Sequence, residues 1–333
     1  MASQGLGKTR GQEGYGEGRA RIRADDDVLV DEAALVAELL ACLEAPDYRP
    51  PTLPVVAVEL MTLSSRADVE IEDVVALLER DSLIAGRVLK QAGSAALAGA
   101  VKITSLREAT KRLGLLRIRD LVMEIALNLR VFKSEAYGDA MERVRRHAVA
   151  TAHLCRTLCK YTPIEGEFAF MAGLLHDVGI AGTLLALSER KGVQRKPPDL
   201  LVLWPAVESV HARAGEIMAR HWQLPPEIRL ALSLHHQVLF DGHPHPLAAT
   251  VALANELAHS EGVGLVPAPS DGDESEADAA AAASDWMSAH TGVDRTGEKT
   301  LALAREALGI DPRIQGLIEA EAKAVIAKLA GVA

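Results

Sequence analysis

The chain is poor in aromatic residues and in cysteine. Aromatic side chains make up 3% of its 333 residues although 49% of them are hydrophobic, and alanine and leucine are abundant. Helices tolerate that composition, whereas strands favour aromatic and β-branched residues. The three cysteines provide neither a disulfide framework nor a zinc knuckle. The sequence therefore predicts an all-α protein of a reducing compartment, and we expect it in the cytoplasm.

Long apolar runs are also scarce. We find no run of about eighteen apolar residues, the length that spans a bilayer, and no apolar signal core near the N-terminus. We therefore expect no membrane association.

Positive charge is in deficit, with 46 acidic against 36 basic residues and a net charge of −10. This balance argues against a nucleic-acid binder unless basic residues cluster locally. Residues 102–146 hold eleven basic and six acidic residues at helical spacing, which is typical of a solvated face. The candidate face for a ligand or partner comprises Arg107, Lys111, Arg112 and Arg117. Neutralising Arg112, Arg117 and Arg119 would test nucleic-acid binding there.

Composition and apolar periodicity divide the chain. Residues 1–30 are rich in glycine and charge, which predicts a disordered tail, and residues 263–299 form an acidic low-complexity insertion. Two packed helical subdomains are predicted at 31–139 and 140–262, and C-terminal helices at 300–333 are expected to pack on the second. Predicted helices include 55–63, 71–79, 82–91, 105–113, 116–132, 140–161, 167–175, 200–221, 226–236 and 247–259.

All eleven histidines lie between His147 and His290, so imidazole chemistry belongs to the second subdomain. Five of them fall on or at the ends of four predicted helices, as bundle-core metal sites require: His147, His176, His211, His235 and His236. Asp177 directly follows His176, and its carboxylate could bridge two metals or orient a ligand. These residue types suit Fe, Mn, Zn or Ni. The other histidines are interpreted as ordinary polar residues: His153, His221, His243, His245, His259 and His290.

Ordered motifs make the chain similar to a known family. Leu174-Leu175-His176-Asp177-Val178-Gly179 resembles the HD-domain signature. The residues from His211 to Gly215, then Trp222 to Pro225, then His235-His236, resemble the HDOD output domain, as do Leu53-Pro54 and the stretch 103–114 in the first subdomain. The resemblance implies an all-helical fold, with an N-terminal helical bundle and an HD-type bundle. It also implies a role in bacterial signalling, typically without demonstrated catalysis.

The related HD phosphohydrolases, including HD-GYP cyclic-dinucleotide phosphodiesterases, use the same skeleton with metal. The resemblance places the corresponding metal set at His147, His176, Asp177, His211, His235 and His236, with Asn255 at the final aspartate position. Three departures count against catalysis. Ile180 replaces a lysine that meets phosphate, the Asn255 amide lacks a charge, and Arg143 stands where the HD-GYP subgroup has a glutamate.

Three hypotheses follow from the sequence. The leading one is a non-catalytic signalling module that binds a partner protein or a small ligand, such as a nucleotide, between its helical subdomains, with or without a metal. The competing one is a metal-dependent phosphodiesterase or phosphatase acting on a cyclic dinucleotide or another phosphate ester. The third is a nucleic-acid-binding regulator that uses the basic face.

Overall fold

The computed structural model of the chain describes residues 31–93, 103–164, 166, 168–189, 200–265 and 293–330. The predicted tail and most of the predicted insertion lie outside the described residues. The predicted all-α fold is confirmed, since helices dominate the part of the chain that is described. Two short strands, β1 (Leu239–Phe240) and β2 (His243–Pro244), pair as an antiparallel hairpin.

The helices of the first half are α1 (Glu32–Leu43), α2 (Val55–Ser64), α3 (Ile71–Glu79), α4 (Ser82–Ala92), α5 (Leu106–Leu113) and α6 (Leu115–Arg130). Those that follow are α7 (Gly138–Leu158), α8 (Ala169–Leu175), α9 (Val178–Ser188), α10 (Leu200–His221), α11 (Pro226–Leu234), α12 (Pro246–Ser260), α13 (Val293–Ala307) and α14 (Pro312–Ala330).

Short polar side chains begin several of these helices. Asp31 accepts a hydrogen bond from the backbone N–H of Ala34 at the start of α1, and Asp81 does the same for the first turn of α4. Ser105 Oγ accepts from Glu108 N at 3.1 Å at the start of α5. Each cap has an extended backbone and satisfies a donor that the helix leaves free.

Two hydrophobic clusters hold the helices together, and α7 contributes to both. One face of α7, which includes Val144 and Ala148, joins the large cluster formed with α1 to α6 and α8 to α10. The C-terminal half of α7, which includes Leu154 and Leu158, packs with α12, α13 and α14. Helices α2 to α6 pack on one another, whereas α1 packs mainly against α9 and α10. The two predicted helical units therefore share a continuous core.

A buried ionic network reinforces that shared core. Arg119 on α6 is 1% exposed and donates to Asp120 Oδ1 at 3.0 Å and to Ser64 Oγ of α2 at 3.4 Å. Arg156 on α7 donates to Asp120 Oδ2 at 2.5 Å and lies over the ring of Phe170 on α8. The interpretation of Arg119 as part of a solvated face is therefore wrong, because its guanidinium is neutralised inside the protein.

One expectation about apolar runs is also wrong. The stretch Ala169–Ser188, which covers α8 and α9, is long and apolar enough to cross a bilayer, with a mean hydropathy of 1.6. However, 89% of its most apolar window is buried inside the protein. Burial on all sides explains the all-round hydrophobicity of these two core helices.

Candidate metal centre

Imidazole and carboxylate donors from five helices meet inside the second bundle. They are His147 from α7, His176 and Asp177 from the junction of α8 and α9, His211 from α10, and His235 and His236 from the C-terminal end of α11. The first five are between 0% and 4% exposed, and His236 is exposed. Histidines that are up to 89 positions apart in the sequence are thus brought together.

Asp177 connects two groups of donors. Its Oδ2 lies 3.0 Å from His176 Nε2 and 3.6 Å from His147 Nε2, while its Oδ1 lies 3.5 Å from both His211 Nε2 and His235 Nε2. Each group, the second of which also includes His236, has ligand atoms that lie within 4.8 Å of one another. One carboxylate oxygen therefore faces each group, as in a site where a carboxylate bridges two neighbouring cations.

Backbone carbonyls hold the histidine rings in place. Four histidines donate from Nδ1 to a carbonyl oxygen 2.6 to 2.8 Å away. The acceptors are Val263 for His147, Gly173 for His176, Glu208 for His211 and Leu232 for His235. Because a carbonyl can only accept, Nδ1 carries a proton, and the Nε2 of each neutral ring directs a lone pair into the cluster. Metal-binding histidines are commonly oriented by such contacts.

The lone pairs inside the cluster face one another. His211 Nε2 lies 3.3 Å from His235 Nε2, and both rings direct their Nδ1 protons at carbonyls, so two lone pairs face each other; His236 Nε2, which lies 2.9 Å from His211 Nε2, can instead donate a hydrogen bond to it. His176 Nε2 is buried and makes no well-aligned hydrogen bond, although Asp177 Oδ2 is near it. Acceptors this close repel each other unless a proton or a cation lies between them. A divalent cation would satisfy several of them at once, so the cluster could hold a metal.

The environment controls the charges of these groups. Burial lowers the pKa of His147 and of His211 to about 4, which leaves both rings neutral near neutral pH. Burial alone would raise the pKa of Asp177, but the surrounding histidines, His176 first among them, hold that pKa well below its ordinary value. For His176 the two effects also oppose each other: burial lowers the pKa, but the Asp177 carboxylate raises it, and the net result is a pKa above the ordinary value. The centre is therefore a carboxylate surrounded by imidazoles.

A glycine brings α9 and α10 close together at the site. A Cβ on Gly179 would overlap the carbonyl oxygen of His211 and would lie 2.5 Å from Gly215 N. Only a residue without a side chain allows this approach of two backbones. The motif glycine two positions after Asp177 thus sets the distance between Asp177 and His211.

Comparison with known proteins identifies the family. The model of a family described as HDOD domain matches residues 51–238, which is more than half of the chain. The chain belongs to the HDOD domain family. This confirms the resemblance carried by the HD and HDOD motifs.

Solved structures share the HDOD fold of the chain. An HDOD domain protein of Geobacter sulfurreducens superposes with a TM-score of 0.62 at 20% identity and covers 90% of this chain and 95% of that one. A candidate metal-dependent phosphohydrolase of Shewanella amazonensis SB2B gives 0.62 at 18% identity, covering 90% and 98%. A candidate signal transduction protein of Marinobacter aquaeolei VT8 gives 0.54 at 19% identity, covering 83% and 66%. At these identities the likeness shows the fold alone.

A curated relative is an uncharacterized protein of Treponema pallidum (strain Nichols). It is 28% identical to this HDOD chain in a match 221 positions long that covers 62% of the chain. The matched region spans 41% of the length of the relative.

The three departures from the metal-dependent relatives have different surroundings in this HDOD protein. Ile180 is 1% exposed and packs in the core directly after the metal cluster. Asn255 Oδ1 lies 2.8 Å from His147 Nε2, which places Asn255 beside the first donor group. Arg143 Nε donates to the carbonyl of Leu265 at 3.2 Å, so its guanidinium is engaged by the segment after α12.

The predicted partner face lies on α5 and at the start of α6. Arg107 forms an ion pair with Glu72 of α3, and Arg112 forms one with Glu108 at 2.8 Å. Lys111 is exposed and Arg117 is half-buried. Part of the basic charge of this face is therefore balanced by local carboxylates.

Sequence reasoning missed one residue near the metal centre. The ring of His259 on α12 lies with its centroid 4.8 Å from that of His147. His259 follows Asn255 by four positions, the spacing that puts two residues on the same side of a helix. That spacing was the available signal, since Asn255 was already assigned to the site.

Proposed function

We propose that this HDOD protein is a regulatory module of bacterial signal transduction that holds a divalent metal and acts by binding a partner rather than by turnover. The observation that carries the metal assignment is the convergence of four buried histidine Nε2 atoms on the Asp177 carboxylate. The proposed ligands are His147, His176, Asp177, His211, His235 and His236, with Asn255 beside His147.

A metal bound in this centre would link the helices that provide its ligands, and it would also act as a Lewis acid. The chain itself prepares the site: the carbonyl acceptors orient the imidazoles, and Asp177 carries the negative charge that attracts the cation. The donor set of imidazole and carboxylate suits Fe, Mn, Zn or Ni. Because the donors come from α7 to α11, a bound metal would stabilise the bundle as a unit.

The residues around the donors favour regulation over hydrolysis. Ile180 provides no charge for a phosphate and is buried in the core. Asn255 offers a neutral amide at the position where the metal-dependent relatives have a carboxylate, which lowers the attraction for a hard cation. Ion pairing of Arg107 and Arg112 also leaves a surface of mixed charge, which suits a protein partner better than a nucleic acid. We assign the partner face to Arg107, Lys111, Arg112 and Arg117.

One feature favours a second candidate, a metal-dependent phosphohydrolase. The two oxygens of Asp177 face two separate donor groups, and two-metal hydrolases place their cations in such paired sites. The exposed edge of His236 would let a small phosphate ester approach.

Metal analysis combined with hydrolysis assays separates the two candidates. The full chain is purified without chelator, its Fe, Mn, Zn and Ni contents are measured, and each metal is tested with a cyclic dinucleotide and with a generic phosphodiester. We expect bound metal that is lost in Asp177→Ala and in His176→Ala and kept in His243→Ala, whose histidine is exposed on β2. We expect no turnover. Hydrolysis that disappears in the first two variants would replace the proposal with the phosphohydrolase, and a chain that takes up none of the metals would refute the metal centre.

A further inference from the structure

The open side of the metal centre is lined by two histidines. His236 and His259 are exposed, whereas the other imidazoles of the cluster are buried. His236 closes the second donor group, since its Nε2 lies 2.9 Å from His211 Nε2. Among the residues that the structure describes, the first donor group brings together three that could hold a cation, His147, His176 and Asp177.

We propose that His259 is a further ligand of this first group and that it compensates for the neutral side chain of Asn255. The inference rests on the proposed metal centre and adds a residue to it. Its ring lies beside His147 with a centroid separation of 4.8 Å and an interplanar angle of 50°. Coordination by His259 requires a rotation about its side-chain torsions that turns a ring nitrogen toward the group, which an exposed imidazole can make between staggered rotamers.

The position of His259 on α12 explains why it reaches the site. Asn255 is already at the site, because its Oδ1 lies 2.8 Å from His147 Nε2. Residues four apart on a helix are neighbours on one face, so His259 stands one turn beyond Asn255 toward solvent. The segment that follows α12 is also held at the site, since Val263 accepts the hydrogen bond from His147 Nδ1.

The chemistry of the first group gives His259 a reason to bind. Two imidazoles and one shared carboxylate leave a first-row divalent cation short of the four donors that zinc commonly takes in proteins. An amide oxygen is a weak donor for such a cation, whereas a neutral imidazole is a good one. His259 would therefore supply, at the exposed edge of the site, the strong metal donor that Asn255 does not supply in the interior.

A double-mutant cycle tests the inference with Co²⁺ as the probe. The equilibrium binding of Co²⁺ to the full chain and its visible absorption spectrum are measured for the unchanged protein and for His259→Ala, Asn255→Asp and the double variant. We expect His259→Ala to weaken binding at the first group by at least about tenfold, since even residues that only orient metal ligands are worth 10- to 100-fold. The visible bands should shift because the ligand set changes. In the Asn255→Asp background, His259→Ala should weaken Co²⁺ binding by less than about threefold, because the new carboxylate replaces the lost imidazole donor.

Two controls make the outcome decisive. His243→Ala removes an exposed histidine on the hairpin and should leave the affinity and the spectrum unchanged. His259→Gln keeps most of the side-chain volume, so a loss of affinity shared by His259→Ala and His259→Gln reflects the imidazole rather than packing. The inference is overturned if His259→Ala matches His243→Ala, or if it weakens binding equally with Asn255 and with Asp at position 255. Loss of Co²⁺ binding in Asp177→Ala tests the metal centre itself, so the failure of one claim is distinguishable from the failure of the other.

Discussion

Gly179→Ala should damage both the stability and the metal centre of this HDOD protein. A Cβ at position 179 would lie 2.5 Å from Gly215 N and closer still to the carbonyl oxygen of His211, both of which are backbone atoms. Since ordinary contact begins at 3.4 Å, α9 and α10 must separate by at least about 0.9 Å there. A flexible side chain could move aside, but two packed helices cannot.

The expected magnitudes follow from that displacement. Overpacking costs about 1 to 3 kcal/mol, and a clash between backbones belongs near the upper limit. Alanine has a better helix propensity than glycine, which offsets about 1 kcal/mol of the overpacking cost. The net loss in the free energy of unfolding is therefore about 2 kcal/mol. Asp177 and His211 lie on opposite sides of the displaced contact, with 3.5 Å between Oδ1 and Nε2. Metal sites tolerate changes of only about 0.2 Å in ligand distances, so Zn²⁺ affinity should fall strongly at the second donor group.

Gly215→Ala is the matched control, because it changes a glycine on the other side of the same helix contact. Its Cβ would meet Gly179 N at 3.6 Å and Leu232 at 3.8 Å, which are ordinary contacts. We expect the free energy of unfolding to stay the same or to rise by up to about 1 kcal/mol. The Zn²⁺ affinity should be unchanged. Urea unfolding followed by circular dichroism, together with a Zn²⁺ titration, measures both effects. Equal behaviour of Gly179→Ala and Gly215→Ala would refute the reasoning.

Two further predictions concern the charges inside the shared core. Asp120→Asn leaves the buried Arg119 without its carboxylate and should lower the free energy of unfolding by about 3 to 5 kcal/mol. The control is Asp68→Asn, because the partner of Asp68, Arg66, is exposed. In the same urea titration this control should change the free energy of unfolding by less than about 1 kcal/mol. Burial raises the pKa of Glu124 to about 7, and the nearby Asp120 acts in the same direction. Because the unfolded chain ionises at lower pH, this group destabilises the folded state increasingly as the pH rises from about 4.5 through 7. Glu124→Gln should therefore stabilise the protein at pH 8 and have little effect at pH 4, and equal effects at the two pH values would contradict this.

The fold could be predicted from the sequence wherever one side of a helix faces solvent. The apolar positions of α1 and of α7 have the helical period, and the helix predicted at 140–161 is observed at Gly138–Leu158. Helix α9 was not predicted, because Val178–Ser188 is apolar all round and shows no period. The burial of Arg119 was missed for a related reason, since spacing alone does not tell a solvated cation from one that is neutralised by its sequence neighbour.

The site was predictable in its residue types and less so in its arrangement. The HD motif and the paired histidines marked four donors, His147 and His211 completed the predicted set of six, and the structure brings these together around Asp177. The sequence could not tell which carboxylate oxygen faces which imidazole, because that depends on the crossing of α9 over α10 at Gly179. Nor could it orient Arg143, which a backbone carbonyl engages only after the chain has folded.

The metal centre also extends beyond the segment that carries the family match. That segment ends at residue 238, yet Asn255, His259 and Val263 approach His147 from α12 and the residues after it. Helix α12 is held in this orientation from its opposite side, where α13 and α14 pack against it and α14 also reaches α7. A helix that contributes side chains to a site on one face and binds a separate helical layer on the other transmits any shift of that layer to the site. Because α12 contributes Asn255 and His259 to the site and packs on α13 and α14 from its other side, we expect substitutions that loosen this packing to change the surroundings of His147.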